Sequence, residues 1–162
     1  MNRHDWLVLA RRFLVVIALM FWQGGFTFYS GVVVPVGQGV LNSHLEQGLI
    51  TRQVTKYLNL AGAAALLVVV LDLVAARETA WVRRLRWLLW LGMLVTLVAL
   101  VWLHPQIDQY LDPEQRALID ARAFRRGHRV YLWVSTVQWG FGVAYLWLTL
   151  RAWREVDHVR QV

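Results

Sequence analysis

The sequence contains no cysteine, and this absence excludes disulfide bonds, thiolate metal sites and cysteine nucleophiles. Acidic residues are also few, ten against seventeen Lys and Arg, which gives a formal net charge of +7. So basic a chain is typical of nucleic-acid binding. Here, however, the arginines lie beside apolar runs, where they meet lipid headgroups. We therefore expect the lipid bilayer as a partner and no nucleic acid.

Long apolar runs are abundant in this chain. Hydrophobic residues make up 58% of it and ten are tryptophan, whereas a soluble domain is about 45–50% apolar. Four runs approach the ~20 residues that a helix needs to cross a bilayer. They predict spans at about residues 13–36, 53–76, 86–104 and 129–150. We therefore predict a single all-α domain, an integral membrane four-helix bundle.

The basic residues beside the spans predict the orientation of the bundle. Few acidic residues accompany the arginines near the termini and between spans two and three. These arginines are Arg3, Arg11, Arg12, Arg77, Arg83, Arg84, Arg86, Arg151, Arg154 and Arg160. In the other two loops, basic and acidic residues are mixed. The positive-inside rule then places both termini in the cytoplasm. We expect the protein in the inner (plasma) membrane of a bacterium.

The loop between spans three and four predicts an outer amphipathic helical extension at about 112–128. Asp112 is a capping residue, Pro113 suits the first helical position and Glu114 puts an acid in the first turn. We expect the fourth helix to begin outside the bilayer and to continue into its span. Thr51 similarly predicts the cap of a helix that enters span two.

A glutamine–glycine pattern occurs in both the first and the last span. Its members are Gln23, Gly24, Gly25, Gln138, Gly140 and Gly142. A buried amide requires a hydrogen bond in hydrocarbon, and glycines let helices approach closely. The pattern predicts a helix-packing seam between these two spans. The alternative is a polar ligand pocket at mid-membrane, whose lining would continue through Thr27, Tyr29, Ser30, Ser135 and Thr136.

One acid, Asp72, lies within a predicted span, about one turn from its cytoplasmic end. We expect it to pair with Arg77 or with the arginines at 83–86. The alternative is a proton or cation role, which intramembrane acids often have.

The candidate metal ligands are three histidines and an aspartate on the outer side: His44, His104, His128 and Asp108. Imidazole and carboxylate together suit copper or zinc. A haem at the edge of the bundle, held by His104 and His128, is a further option. The spacing matches no metal motif, so the alternative is a set of interfacial histidines that water and lipid phosphate satisfy.

Two short motifs carry a family resemblance. Gly24-Gly25-x-x-Phe28 followed by Pro35, with Phe124-x-x-x-His128 before the last span, resembles a family of small four-span membrane proteins that includes transmembrane protein 205. This resemblance implies a four-helix bundle and no established reaction. The first motif is also similar to the first span of bacterial CopD-type proteins, which implies copper handling.

Motifs of hydrolytic or phosphate chemistry are absent from the sequence, which has no Gly-x-Ser-x-Gly, no His-Glu-x-x-His and no phosphate-binding glycine loop. We therefore predict a non-enzymatic membrane protein. It would be an accessory or structural component of a membrane assembly or a binder of a small ligand, as a homo-oligomer or within a larger complex. The alternative function is copper, zinc or haem binding through the outer histidines.

Overall fold

The computed structural model describes residues 3–41, 44–76, 78–112 and 117–159. Within these ranges the chain forms four long helices. The first, α1, is a continuous run of the segments Arg3–Leu19, Met20–Gly24, Gly25–Phe28, Tyr29–Val33 and Val34–Leu41. It is followed by α2 (His44–Ala75), α3 (Ala80–Asp108) and α4 (Ala121–Val159). A short antiparallel pair, β1 (Leu111–Asp112) and β2 (Ala117–Leu118), connects α3 to α4.

Two segments of α1 are π-helical, Met20–Gly24 and Tyr29–Val33. Pro35 comes two residues after the end of the second of them. Proline has no backbone N–H, and its ring crowds the carbonyl four residues earlier, here that of Gly31. A π turn widens the helix at that point, so the proline accounts for the position of the second π segment.

The four helices pack in chain order, and α4 returns to α1 to close the ring. The buried apolar core lies in the half of the bundle that contains the chain termini. Its members are Val15, Leu19, Trp22, Ala65, Leu66, Val69, Leu73, Met93, Leu97 and Tyr145. We call this half the terminal end and the opposite half the distal end.

A bidentate ion pair shows that the first and last helices meet at the terminal end. Arg12 donates from Nη1 and Nη2 to the two carboxylate oxygens of Asp157, at 2.6 and 2.9 Å. The guanidinium also lies 5.3 Å from the ring centre of Trp153. The start of α1 and the end of α4 therefore lie at the same end of the bundle.

Three helical stretches are long and apolar enough to cross a membrane within the described residues: Asp5–Leu41, Leu45–Ala75 and Ala80–Asp108. Their outward faces are apolar; on α2, for example, Leu60, Leu67, Leu71 and Val74 are all at least two-thirds exposed. Such faces need lipid around them. The protein is thus a membrane-embedded helical protein.

Two helices begin at residues other than those that the sequence predicted. Helix α4 begins at Ala121 rather than at 112, because the side chain of Asp120 accepts the backbone N–H groups of Arg122 and Ala123 at 2.8 and 3.0 Å. Asp112 instead lies in β1, and Pro113 and Glu114 lie outside the described residues. Thr51 is inside α2 and donates to the carbonyl of Gln47 at 2.8 Å, so it caps nothing.

Candidate functional site

A cavity of about 500 Å³ occupies the distal end, where the apolar core stops. All four helices contribute to its wall. Its lining is mainly apolar and aromatic, with Trp22, Phe26, Leu58, Leu100, Ile107, Phe124 and Tyr131. Ligand pockets in proteins generally fall between roughly 300 and 1,000 Å³ and are apolar with a few placed polar groups. This cavity has the size and lining of such a pocket.

The wall between α1 and α2 is held by a small polar cluster. Tyr29 donates to the hydroxyl of Thr51 at 3.0 Å, and the amide of Gln47 reaches both hydroxyl oxygens at 3.4 Å. Gln47 is buried, and its side chain lies directly over Gly37, where a Cβ atom would overlap its amide. The glycine is needed here because it lets the glutamine fit between the helices.

The distal rim of the cavity is an ion cluster on α2 and α3. Arg52 donates from Nε to Oδ2 of Asp108 at 2.9 Å, and Nδ1 of His104 lies 3.2 Å from the same oxygen. The other ring nitrogen of His104, Nε2, lies 3.1 Å from the backbone carbonyl of Arg52. Both ring nitrogens therefore face oxygen acceptors, and Asp108 is neutralised within the cluster.

The floor of the cavity carries two buried polar side chains of α4. Ser135 is 4% exposed, and no described residue hydrogen-bonds to its hydroxyl. Gln138 is 7% exposed, and its Nε2 makes one long contact, 3.5 Å, to the carbonyl of Met93. Buried polar groups are normally hydrogen-bonded. The floor thus presents hydrogen-bonding capacity that the described residues leave unused.

His128 lines the cavity near its distal rim and stacks on Phe124, with ring centres 6.0 Å apart. Burial lowers the pKa of His128 below its ordinary value of 6.5, so its ring is neutral at pH 7. In contrast, Asp120, at the start of the same helix, is fully exposed. Its bonds to the N–H groups of Ala123 and Arg122 lower its pKa and keep it ionised.

The cavity reaches the molecular surface between α1 and α4. Ser30 of α1 and Leu132 of α4 both line the cavity, and both are exposed. Towards the terminal end this gap is closed, because Trp139 donates from Nε1 to the hydroxyl of Thr27 at 3.1 Å. We call the opening beside Ser30 and Leu132 the lateral mouth.

The structure brings together three of the four predicted metal ligands on one cavity: His104, Asp108 and His128. It holds no cluster of three His, Asp or Glu side chains arranged for a metal ion in the described ranges. The side chain of His44, at the start of α2, lies outside the described residues. The full ligand set, with copper, zinc or haem, therefore stays a prediction, and the engaged ring nitrogens of His104 argue against it.

The glutamine–glycine residues occupy several environments rather than one. Gln23 of α1 lies against Gly142 of α4, where a Cβ would approach its amide to 2.6 Å, so the two helices are in close contact at this point. Gly25 faces Leu58 of α2, and Gly24 and Gly140 have open space beside them. Close glycine contacts also join other pairs of helices: Gly62 of α2 lies against Trp22 of α1, and Gly92 of α3 lies against Phe141 of α4.

A second polar cluster is buried at the terminal end, around Arg86. Its Nη2 donates to Asp72 at 2.6 Å and to the hydroxyl of Tyr145 at 2.8 Å. Its Nη1 donates to Glu78 at 2.7 Å, and its Nε to Thr149 at 3.1 Å. The predicted pairing of Asp72 with an arginine of 83–86 is thereby confirmed.

The Arg86 cluster ties all four helices together. Asp72 of α2 also pairs with Nε of Arg11 on α1 at 2.8 Å, while Tyr145 and Thr149 belong to α4. Each guanidinium nitrogen of Arg86 already has a partner, and Arg86 and Asp72 are both 0% exposed. Oε1 of Glu78 is buried without a hydrogen-bond partner among the described residues, so the cluster is not fully satisfied. The cavity lies at the distal end, and this makes the distal cavity the candidate site.

Comparison with known proteins places the chain in a family. A family model described as a domain of unknown function, DUF4149, matches residues 17–116, more than half of the chain. The chain belongs to the DUF4149 family. No curated protein and no solved structure matches it.

The part of the chain that matches DUF4149 covers most of α1, all of α2 and α3, and the β1 segment. It therefore includes the cavity wall made by Tyr29, Gln47 and Thr51 and the rim made by Arg52, His104 and Asp108. The floor residues Ser135 and Gln138 lie on α4, beyond the match. Nothing in this family assignment tests the resemblance to transmembrane protein 205 or to CopD-type proteins.

Sequence reasoning named some cavity residues and missed others. Tyr29, Ser30 and Ser135 were expected to continue a polar lining, and all three line the cavity. The aromatic wall was missed, because Trp22 and Tyr131 look like ordinary span residues in sequence. A usable signal was the neutral Asn59 on α2, which accepts from the hydroxyl of Tyr131 at 3.3 Å within an otherwise apolar stretch.

Proposed function

We propose that this protein is a non-enzymatic four-span membrane protein whose distal cavity binds a small amphipathic molecule. The observation that carries the proposal is the cavity itself, a mainly apolar space of about 500 Å³ with the buried, unpartnered hydroxyl of Ser135 at its floor. Ligand-binding sites usually combine an apolar cavity with a few polar groups that face into it.

The fourth span is supported by the two faces of α4. From Val130 to Leu150 the helix has no charged residue. Its outward side chains are apolar, among them Trp133, Val137 and Trp147. Its polar side chains, such as those of Ser135, Gln138 and Thr149, are buried against the other helices. These buried polar side chains lower the average hydropathy of α4 although they do not contact lipid. We therefore infer that α4 crosses the membrane with the other three helices.

The orientation we propose places the terminal end in the cytoplasm. That end contains Arg11, Arg12, Arg83, Arg84 and Arg151, which agrees with the positive-inside rule. The distal cavity then lies in the outer half of a plasma membrane.

Binding is favoured over catalysis by the chemistry of the cavity wall. The ionic groups on the rim, Arg52 and Asp108, are paired with each other, and the described wall contains no nucleophile hydrogen-bonded to a base. Amides, hydroxyls and aromatic rings remain, and these recognise a ligand without transforming it.

Filling the cavity tests this proposal. Gly48 lines the cavity and has open space where a Cβ would stand, so Gly48→Phe inserts a ring without disturbing the helix contacts. We expect native mass spectrometry of wild-type protein, released from native membrane nanodiscs, to show a bound small molecule. The Gly48→Phe protein should lose most of that adduct.

The matched control is Gly39→Phe, an exposed position on α1 that also has open space beside it but is not part of the cavity wall. It should keep the wild-type adduct. Equal adducts in Gly48→Phe and wild type, with both proteins folded, would contradict ligand binding in the cavity.

A further inference from the structure

Four arginines lie on the first turns of α4, at the distal end of the molecule: Arg122, Arg125, Arg126 and Arg129. All four are exposed. In the described ranges none of them forms an ion pair. Asp108 is held by Arg52. Asp120 accepts two backbone N–H groups of its own helix and attracts Arg126 and Arg125 electrostatically without forming an ion pair with either.

The helical repeat places all four arginines on one side of α4, spread over roughly 100°, with Arg125 and Arg129 rotated least from Leu132. Residues three, four or seven apart share a helix face. Arg125 and Arg129 precede Leu132 by seven and three residues, so they stand above the lateral mouth. Relative to Leu132, Arg125 and Arg129 are rotated by roughly 20° and 60° and lie about 10 and 5 Å towards the start of α4. Arg122 is rotated by roughly 80° and lies about 15 Å away along the axis, and Arg126 is rotated by roughly 120°. Arg125 and Arg129 are therefore the two arginines of this group that lie nearest to the lateral mouth.

Combined with the lateral mouth, this arrangement points to a lipid as occupant. The mouth opens at Ser30 and Leu132, within the outward surface that faces the hydrocarbon, and behind it the cavity wall is apolar. An acyl chain can enter there from the bilayer without crossing water. Its headgroup would remain outside the mouth, at the depth of Arg125 and Arg129, where a phosphate would meet both guanidinium groups.

We propose that the cavity ligand is an anionic phospholipid that inserts one acyl chain through the lateral mouth and binds its phosphate headgroup to Arg125 and Arg129. This inference rests on the proposed function, because it names the ligand class of the same cavity. Ser135 and Gln138 at the floor would hydrogen-bond to an ester carbonyl or to water that accompanies the chain.

The test compares two lipids with identical chains, dioleoyl-phosphatidylglycerol and dioleoyl-phosphatidylcholine, each titrated into purified full-length protein and counted by native mass spectrometry. Wild type should bind the anionic lipid more tightly. A basic residue near an anionic surface is worth roughly fivefold in affinity. Arg125→Gln with Arg129→Gln should therefore reduce phosphatidylglycerol binding by about tenfold or more. Phosphatidylcholine binding should fall much less, because the choline cation already offsets the charge of its phosphate.

The control removes the same charge from the two arginines farther from the lateral mouth, with Arg122→Gln and Arg126→Gln, and should keep most of the preference for the anionic lipid. Equal loss in both double variants would mean a general charge effect and would overturn the assigned headgroup site. Equal binding of the two lipids in wild type, abolished by Gly48→Phe, would overturn the anionic class but preserve the cavity as a binding site. Lipid binding that Gly48→Phe does not change would overturn both.

Discussion

Replacing Arg86 with methionine is expected to destabilise the protein by about 3–5 kcal/mol, the usual cost of removing one partner from a buried ion pair. The substitution leaves the buried carboxylate of Glu78, at 3% side-chain exposure, without its guanidinium partner, and leaves that of Asp72, at 0%, with Arg11 alone. It also removes the donors to Tyr145 and Thr149. Thermal unfolding in mild detergent measures the effect.

The control for this prediction is Arg84→Met, an exposed arginine on the same helix, which should change stability little. Neutralising the stranded acids in the Arg86→Met background, by Asp72→Asn and Glu78→Gln, should recover a substantial part of the loss. If Arg86→Met unfolds no earlier than Arg84→Met, the buried cluster does not hold the four helices together.

Substituting alanine for Gly62 is expected to cost about 1–3 kcal/mol, the typical cost of overpacking a filled core. A Cβ atom at this position would lie 2.7–2.9 Å from three atoms of the Trp22 indole, which is itself 3% exposed and cannot move away easily. Chemical or thermal unfolding, followed by tryptophan fluorescence, provides the measurement.

Gly48→Ala is the comparison, since it lies on the same helix and has no atom near its Cβ position. Alanine favours helix over glycine by about 0.5–1 kcal/mol, so this variant should be neutral or slightly more stable. If Gly62→Ala and Gly48→Ala change the stability by the same amount, α1 and α2 do not pack at Trp22 as described.

Local patterns in the sequence predicted the helical membrane class and the pairing of Asp72. Apolar runs identify helices that lie in lipid, and one acid in such a run requires a nearby arginine, which is Arg86. The start of α4 was placed wrongly at Asp112, because the residues Asp112, Pro113 and Glu114 have the local pattern of a helix start. Only the folded chain shows that Asp120 makes the bonds.

The convergence of distant residues could not be read from the sequence. Tyr145 and Thr149 meet Arg86 only because α3 and α4 pack side by side, and nothing in their spacing indicates that contact. The cavity likewise depends on where the packing is incomplete. The similar depth of Gln23 and Gln138 indicated a shared seam, yet the described hydrogen bond of Gln138 goes to Met93 on a third helix.

The number of spans determines every proposal made for the distal cavity, because the lateral mouth faces lipid only if α4 crosses the membrane. The contact between Arg12 and Asp157 requires the start of α1 and the end of α4 to lie on the same side of the membrane. The most direct measurement uses a reporter that fluoresces only in the cytoplasm, fused before Met1, inserted after Ser43, or fused after Val162. We predict fluorescence from both terminal fusions and none from the insertion after Ser43. A fluorescent N-terminal fusion with a dark, fully expressed C-terminal fusion would mean three spans and would contradict the account.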